Sequence, residues 1–171
     1  MVHYYNYTLN KKSILKLDFN ILYSYNLLYI LDMMEQLELL FSDKLKLNNE
    51  IVDIVYVNKI IPNQPEEEYY GNREYKLYLD TYNNRDKLQK RSTQLLYRLN
   101  EGNGRAIYLI GVDDNGVSIG CNLQDLFKSI KSIINMSNII KSEINKITIY
   151  HSENGNYIST IRCKKELINN K

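Results

Sequence analysis

Apolar positions recur along this chain with two periods, about 3.6 and about 2 residues, and the changes between them mark out helices and strands. Leu88, Leu95, Leu96 and Leu99 fall on one side of a helix over residues 85–100, and Gly102 and Gly104 beyond it form its stop. The run from Ala106 to Val112 is apolar at successive positions, which predicts an interior strand covered on both faces. Asn115 and Gly116 favour a turn with positive φ, so residues 117–120 should return as a short hairpin strand. Asn122 can cap a second helix whose stripe is Leu123, Leu126, Phe127, Ile130, Ile133 and Ile134. Residues 146–150 and 157–163 read as a second hairpin, closed across Glu153, Asn154, Gly155 and Asn156. Upstream, residues 73–79 alternate Tyr75, Leu77 and Leu79 against Glu74, Lys76 and Tyr78, the pattern of a half-buried strand. Residues 51–57 are β-branched and aromatic enough for another.

From residue 73 the order is therefore strand, helix, strand, short strand, helix, strand, strand. That alternation predicts an α+β fold, a mixed sheet with two packed helices. The segment from Ile61 to Asn72 holds both prolines of the chain, a glycine and the consecutive Glu66, Glu67 and Glu68, and reads as an exposed linker. Residues 1–50 form a partly helical N-terminal extension, with Leu31, Met34, Leu37, Leu40 and Phe41 at helical spacing and the first 32 residues weakly specified. The organisation expected is thus 1–50 extension, 51–64 strand and linker, 65–163 α+β domain and 164–171 basic tail. The apolar run from Phe19 to Leu31 is broken by Asn20, Ser24 and Asn26 and is shorter than the roughly 20 residues a membrane span needs, so no membrane partner is expected.

With 171 residues the chain is long enough for one domain with a real core. Cys121 and Cys163 have the spacing of neither a zinc site nor a disulfide framework; reduced core thiols fit best, and with them a cytosolic or nuclear setting, of which the cytoplasmic is the one expected. Asn, Ile, Lys and Tyr are over-used, with 16 Tyr and no Trp, which points to an AT-rich genome such as that of a protist or large virus.

The net charge of +2 gives no global case for a polyanion partner, so any basic surface must be local. Arg85, Lys87, Lys90, Arg91, Arg98 and Arg105 supply such a cluster on and after the first helix, with Arg85, Lys90, Arg91, Arg98 and Arg105 as the candidate RNA contacts. A solvated helix face accounts for them as well as a phosphate-tracking surface for RNA does. Glu68, Glu74 and Asp113 or Asp114, if they converged, would form a carboxylate set for Mg or Mn and phosphodiester cleavage, against the plainer reading of an acidic linker and a turn. The stretch from Gly111 to Ser118 has the glycine spacing of a phosphate-binding loop, but Val117 stands where the lysine is needed. No cofactor and no resident metal are expected on this chain.

Glu74, Lys76, Gln94, Arg98, Glu101, Gly102, Gly104, Gly111, Asp114 and Gly116 resemble, in order and spacing, the N-terminal region of the GTP-binding protein 1 and 2 family. Those proteins are translational GTPases related to elongation factor Tu. The resemblance runs over about residues 65–163 and implies a domain that precedes the GTPase domain, with tRNA, rRNA, the ribosome or a protein as partner. Because the chain ends about where the GTPase domain would begin, GTP is expected only if that domain is supplied elsewhere. The resulting expectation is a non-catalytic binding module, not an enzyme. A weaker likeness, in Glu74 to Lys76, Gly111 to Gly116 and the exit at Gly120 and Cys121, is similar to the AlbA-like domain of schlafen proteins. It implies an AlbA-like sheet and, as the alternative function, a metal-dependent endoribonuclease; a degenerate paralogue without activity is the third option.

Overall fold

A computed structural model describes residues 4–8, 35 and 52–166. Among the described residues, six strands and two long helices follow in the order β1 (Tyr4–Thr8), β2 (Asp53–Ile60), β3 (Arg73–Lys76), α1 (Arg85–Glu101), β4 (Arg105–Ile110), α2 (Leu123–Ile140), β5 (Glu143–His151) and β6 (Tyr157–Lys164). The strands form one mixed sheet in the order β1-β2-β5-β6-β4-β3. The β2–β5 and β3–β4 pairs are parallel and the other three antiparallel. The fold is α+β, as the alternation predicts.

Both helices begin and end for local reasons. Asn84 Oδ1 accepts the Lys87 backbone N–H at 2.8 Å to cap α1, and Asn122 Oδ1 accepts that of Asp125 at 2.9 Å to cap α2. Gly102 stops α1 by donating its N–H to Arg98 O at 3.0 Å. Lys141 closes α2 in the left-handed region at φ 54. The helices pack on one face of the sheet, where Leu95 and Leu99 of α1 and Leu126, Ile130 and Ile133 of α2 meet Tyr108, Ile110, Ile147 and Ile161. Each such side chain contributes about 1.5–3 kcal/mol by leaving water. Cys121 and Cys163 lie buried in this layer with no disulfide, and burial pushes the Cys121 thiol up to about 12.

The opposite face carries a smaller cluster of Tyr75, Leu109, Val112 and Ile158, against which Ile61 packs. As expected, β4 is thus covered on both sides. Ile61 lies on the connection that carries the chain from β2 to β3 at the far edge of the sheet.

Three expectations need correction. The strand expected over residues 73–79 ends at Lys76, because the next backbone donors turn to α2: Leu79 N–H goes to Ser129 Oγ at 2.8 Å and Thr81 N–H to Ser132 Oγ at 3.1 Å. Its alternation is also misassigned, since Glu74 is fully buried and Leu77 is 41% exposed. Residues 117–120 form no strand. The segment from 61 to 72 has no regular structure and is largely exposed, as expected of a linker, but it is tied to the loop over residues 114–118: Gln64 N–H donates to Gly116 O at 2.7 Å, Glu67 N–H to Asp114 O at 2.8 Å, and Ser118 N–H to Asn63 Oδ1 at 2.9 Å. Finally, the segment read as a helical or irregular extension contains β1, and β2 belongs to the same sheet rather than to a separate stretch. Glu35 is helical, while the rest of the helix expected over residues 31–41 lies outside the described residues.

Candidate functional site

The site is built at the β3 edge of the sheet, where α1 crosses it and residues 66–72 run alongside. Glu74 and Lys76 are two apart on β3 and so point to the helix side, in register with Tyr108 and Ile110. Gln94 and Arg98 are four apart on α1 and so share the face turned towards them. Arg98 Nε donates to Glu74 Oε2 at 2.8 Å, Gln94 Nε2 donates to Glu74 Oε1 at 2.5 Å, and Lys76 Nζ lies 2.6 Å from the same oxygen. The other end of the guanidinium holds the neighbouring segment. Arg98 Nη2 donates to Glu67 Oε1 at 2.7 Å, and Nη1 lies 3.1 Å from the carbonyls of Glu68, Tyr69 and Gly71.

Electrostatics separates the two glutamates. Burial pushes the Glu74 carboxyl up, but hydrogen bonds from Lys76 and Arg98 outweigh it and hold the group below the ordinary 4.5. Burial, followed by the charge of Glu74, pushes the Glu67 carboxyl above 4.5, against the pull of Lys76. A depressed carboxylate stabilises the fold above its unfolded pKa and loses that contribution as pH falls through the folded value. Unfolding free energy should therefore fall on acidification below pH 4.5 more steeply in the native chain than in Glu74→Gln. Urea titrations at a series of pH values measure both slopes. For Glu67 the sign is opposite, its ionisation costing stability as pH rises through the raised value.

Outside this network lies an open cleft of about 980 Å³. Lys87, Lys90 and Arg91 of α1 line one wall, and Glu67, Glu68 and Asp114 line the other. Tyr69 and Tyr97, 80% and 39% exposed, stand at its rim. Arg91 Nη1 donates to Gln94 Oε1 at 2.7 Å, and among the described residues none of the three helix cations pairs with a carboxylate.

The expected RNA-contact residues are thus dispersed. Lys90 and Arg91 reach the cleft, and Arg85 is exposed at the start of α1. Arg98 is a correction: it is 5% exposed, and its guanidinium is consumed by Glu74, Glu67 and three carbonyls. Arg105 lies on β4 facing away from the helices, as its alternation with buried Ala106 requires. Of the carboxylates proposed for a metal, Asp113 is turned into its own loop, where its Oδ1 accepts Val117 N–H at 2.8 Å, and Glu68 contributes its carbonyl instead. The described residues hold no group of three ligands suited to a metal ion. Glu67, unmarked in the sequence among three glutamates, is the carboxylate that joins Glu74.

Among the residues singled out by resemblance, Glu74, Lys76, Gln94 and Arg98 converge in this network, with Asp114 Oδ1 3.9 Å from Lys76 Nζ. Glu101 ends α1 and is exposed. Gly102, Gly104, Gly111 and Gly116 shape the turns, the last three at positive φ.

Against known proteins, the chain is 36% identical over 83 residues to GTP-binding protein 2 of Mus musculus, and equally to GTP-binding protein 2 of Homo sapiens. The match takes in 48% of this chain and spans 14% of the length of those relatives. No family model matches the chain, and no solved structure does.

Proposed function

We propose that this chain is a non-catalytic RNA-binding module, related in part to GTP-binding protein 2, that grips phosphates in the cleft beside α1. The observation that carries the reading is the placing of Lys87, Lys90 and Arg91 along one wall with Tyr69 and Tyr97 at the rim. Lysine and arginine neutralise phosphates and release counterions, while exposed tyrosines offer faces on which unpaired bases stack. The relative's name refers to GTP. In this chain the stretch from Gly111 to Ser118 has no lysine, and the next helix begins only at Leu123, so the GTP chemistry of the relative is not assigned to it. The natural ligands on this reading are single-stranded parts of tRNA or rRNA, free or in the ribosome, in the cytoplasm.

Filter-binding titrations with tRNA and rRNA fragments should give log K falling linearly with log salt. Lys87→Ala, Lys90→Ala and Arg91→Ala should each lower the slope by about 0.7 on single strands. Absent binding, or binding indifferent to salt, overturns the proposal.

A further inference from the structure

The face of the sheet away from the helices carries a charge pattern that the fold does not explain. Strand alternation places Arg73, Arg105, Lys146, Arg162 and Lys164 on that face, because their neighbours Glu74, Ala106, Ile147, Ile161 and Cys163 turn inward. The four arginines and lysines on β3, β4 and β6 are exposed, and Lys146 on β5 is half-buried. Register sets like charges against each other: Arg105 lies directly opposite Lys164, and Arg162 directly opposite Lys146. Arg73 and Arg162 flank Ile107 in the same row. Like charges in such cross-strand positions destabilise a sheet. Glu143 opposite Lys164 and Asp53 opposite Lys146 are the acidic positions of these rows. None of the five cations forms an ion pair among the described residues.

We infer that this face is a second, sequence-independent binding surface, and that its occupant is the phosphate backbone of double-helical RNA. The inference rests on the RNA reading for its class of ligand but on different residues for its site. Three of the five cations are arginines, whose planar fork suits phosphate oxygens. An acidic peptide would need an apolar anchor pocket as well. Here Tyr75 is 2% exposed and buried in the cluster with Leu109, and the exposed Tyr70 stands beside Arg73 at the edge of the sheet rather than among the rows of charge, so those rows themselves offer no exposed ring to a peptide or to unpaired bases. A duplex, whose bases are already stacked, requires only the rows of charge.

The test is fluorescence anisotropy with the full chain, a short RNA duplex and a single strand of equal length, over about 50–200 mM salt. The triple variant Arg105→Ala, Arg162→Ala, Lys164→Ala should bind the duplex at least tenfold more weakly, its salt slope shallower by about 0.9 for each phosphate contact removed. Because it relieves like-charge pairs, its melting temperature should not fall below that of the native chain. Arg105→Lys with Arg162→Lys should retain the slope. The variant Lys87→Ala, Lys90→Ala, Arg91→Ala should keep duplex binding and lose the single strand, which separates failure of the cleft from failure of this face. Unchanged duplex affinity and slope in the sheet-face variant overturn the inference. Equal displacement of the duplex by poly-L-glutamate overturns it too, by showing a surface for any polyanion, and a native chain that binds neither RNA overturns both readings.

Discussion

Replacing Arg98 with methionine should lower the free energy of unfolding by about 3–5 kcal/mol, the usual cost of removing one partner from a buried ion pair. The guanidinium is 5% exposed and serves two carboxylates and three backbone carbonyls at once. Without it, the fully buried Glu74 retains only Gln94 and Lys76, both on the same oxygen, and its second oxygen is left in the core with no donor. The carbonyls of Glu68, Tyr69 and Gly71 lose their common partner, so residues 66–72 should also detach from the sheet edge and become open to protease. Methionine preserves most of the packing volume, which keeps the loss electrostatic rather than a cavity effect. Adding Glu74→Met should restore part of the stability, because an apolar pair strands no charge. A double-mutant cycle in urea measures the coupling. A loss below about 1 kcal/mol for Arg98→Met would mean that water takes over the network and that Arg98 does not hold the cleft wall.

Much of this architecture is legible in the chain, and the parts that are not have definite causes. Both helices carry an asparagine cap followed by a clean apolar stripe, and β4 is apolar throughout, so each is recognisable without its neighbours. The β3 strand is not, because both of its faces are covered: Tyr75 packs on the helix-free side while Glu74 and Lys76 turn under α1. Hydropathy reads Glu74 as solvent-facing, since a charge is buried only when partners distant in sequence are brought to it. The sequence does show Gln94 and Arg98 at a spacing that puts them on one helix face. What it cannot show is that Glu74, 24 positions before Arg98, meets that face. Choosing Glu67 from three adjacent glutamates depends on one backbone bond to the Asp114 loop. The basic residues read as a single cluster divide by geometry: Arg91 and Arg98, seven apart, share one helix face, but Glu74 and the carbonyls of Glu68, Tyr69 and Gly71 cover only the end that carries Arg98, and strand alternation sends Arg105 to the far face.

The bond beside that of Glu67, from Gln64 N–H to Gly116 O, identifies Gly116 as the second sensitive position. Gly116 has φ +84, and a Cβ there would lie 2.1 Å from Gln64 O and 2.6 Å from Pro65 O, so backbone rather than a pliable side chain obstructs it. Gly116→Ala should therefore cost the left-handed penalty of about 1–2 kcal/mol plus the clash. Gly155 supplies the control, with φ +81 and nothing within 4 Å of an added Cβ. Gly155→Ala carries the conformational penalty alone, and Gly116→Ala should exceed it by at least about 1 kcal/mol in urea unfolding. The excess has a specific structural outlet. To relieve the contact, residues 64–67 must move off the loop, breaking the Gln64 to Gly116 and Glu67 to Asp114 hydrogen bonds and drawing Glu67 away from Arg98. Protease cleavage in residues 62–70 should accelerate in Gly116→Ala and not in Gly155→Ala, while hydrogen exchange in α2, which does not contact the loop bonds, stays slow. Equal costs at the two glycines would show that the loop and the segment beside it are independent, and that the acidic wall of the cleft is held by Arg98 alone.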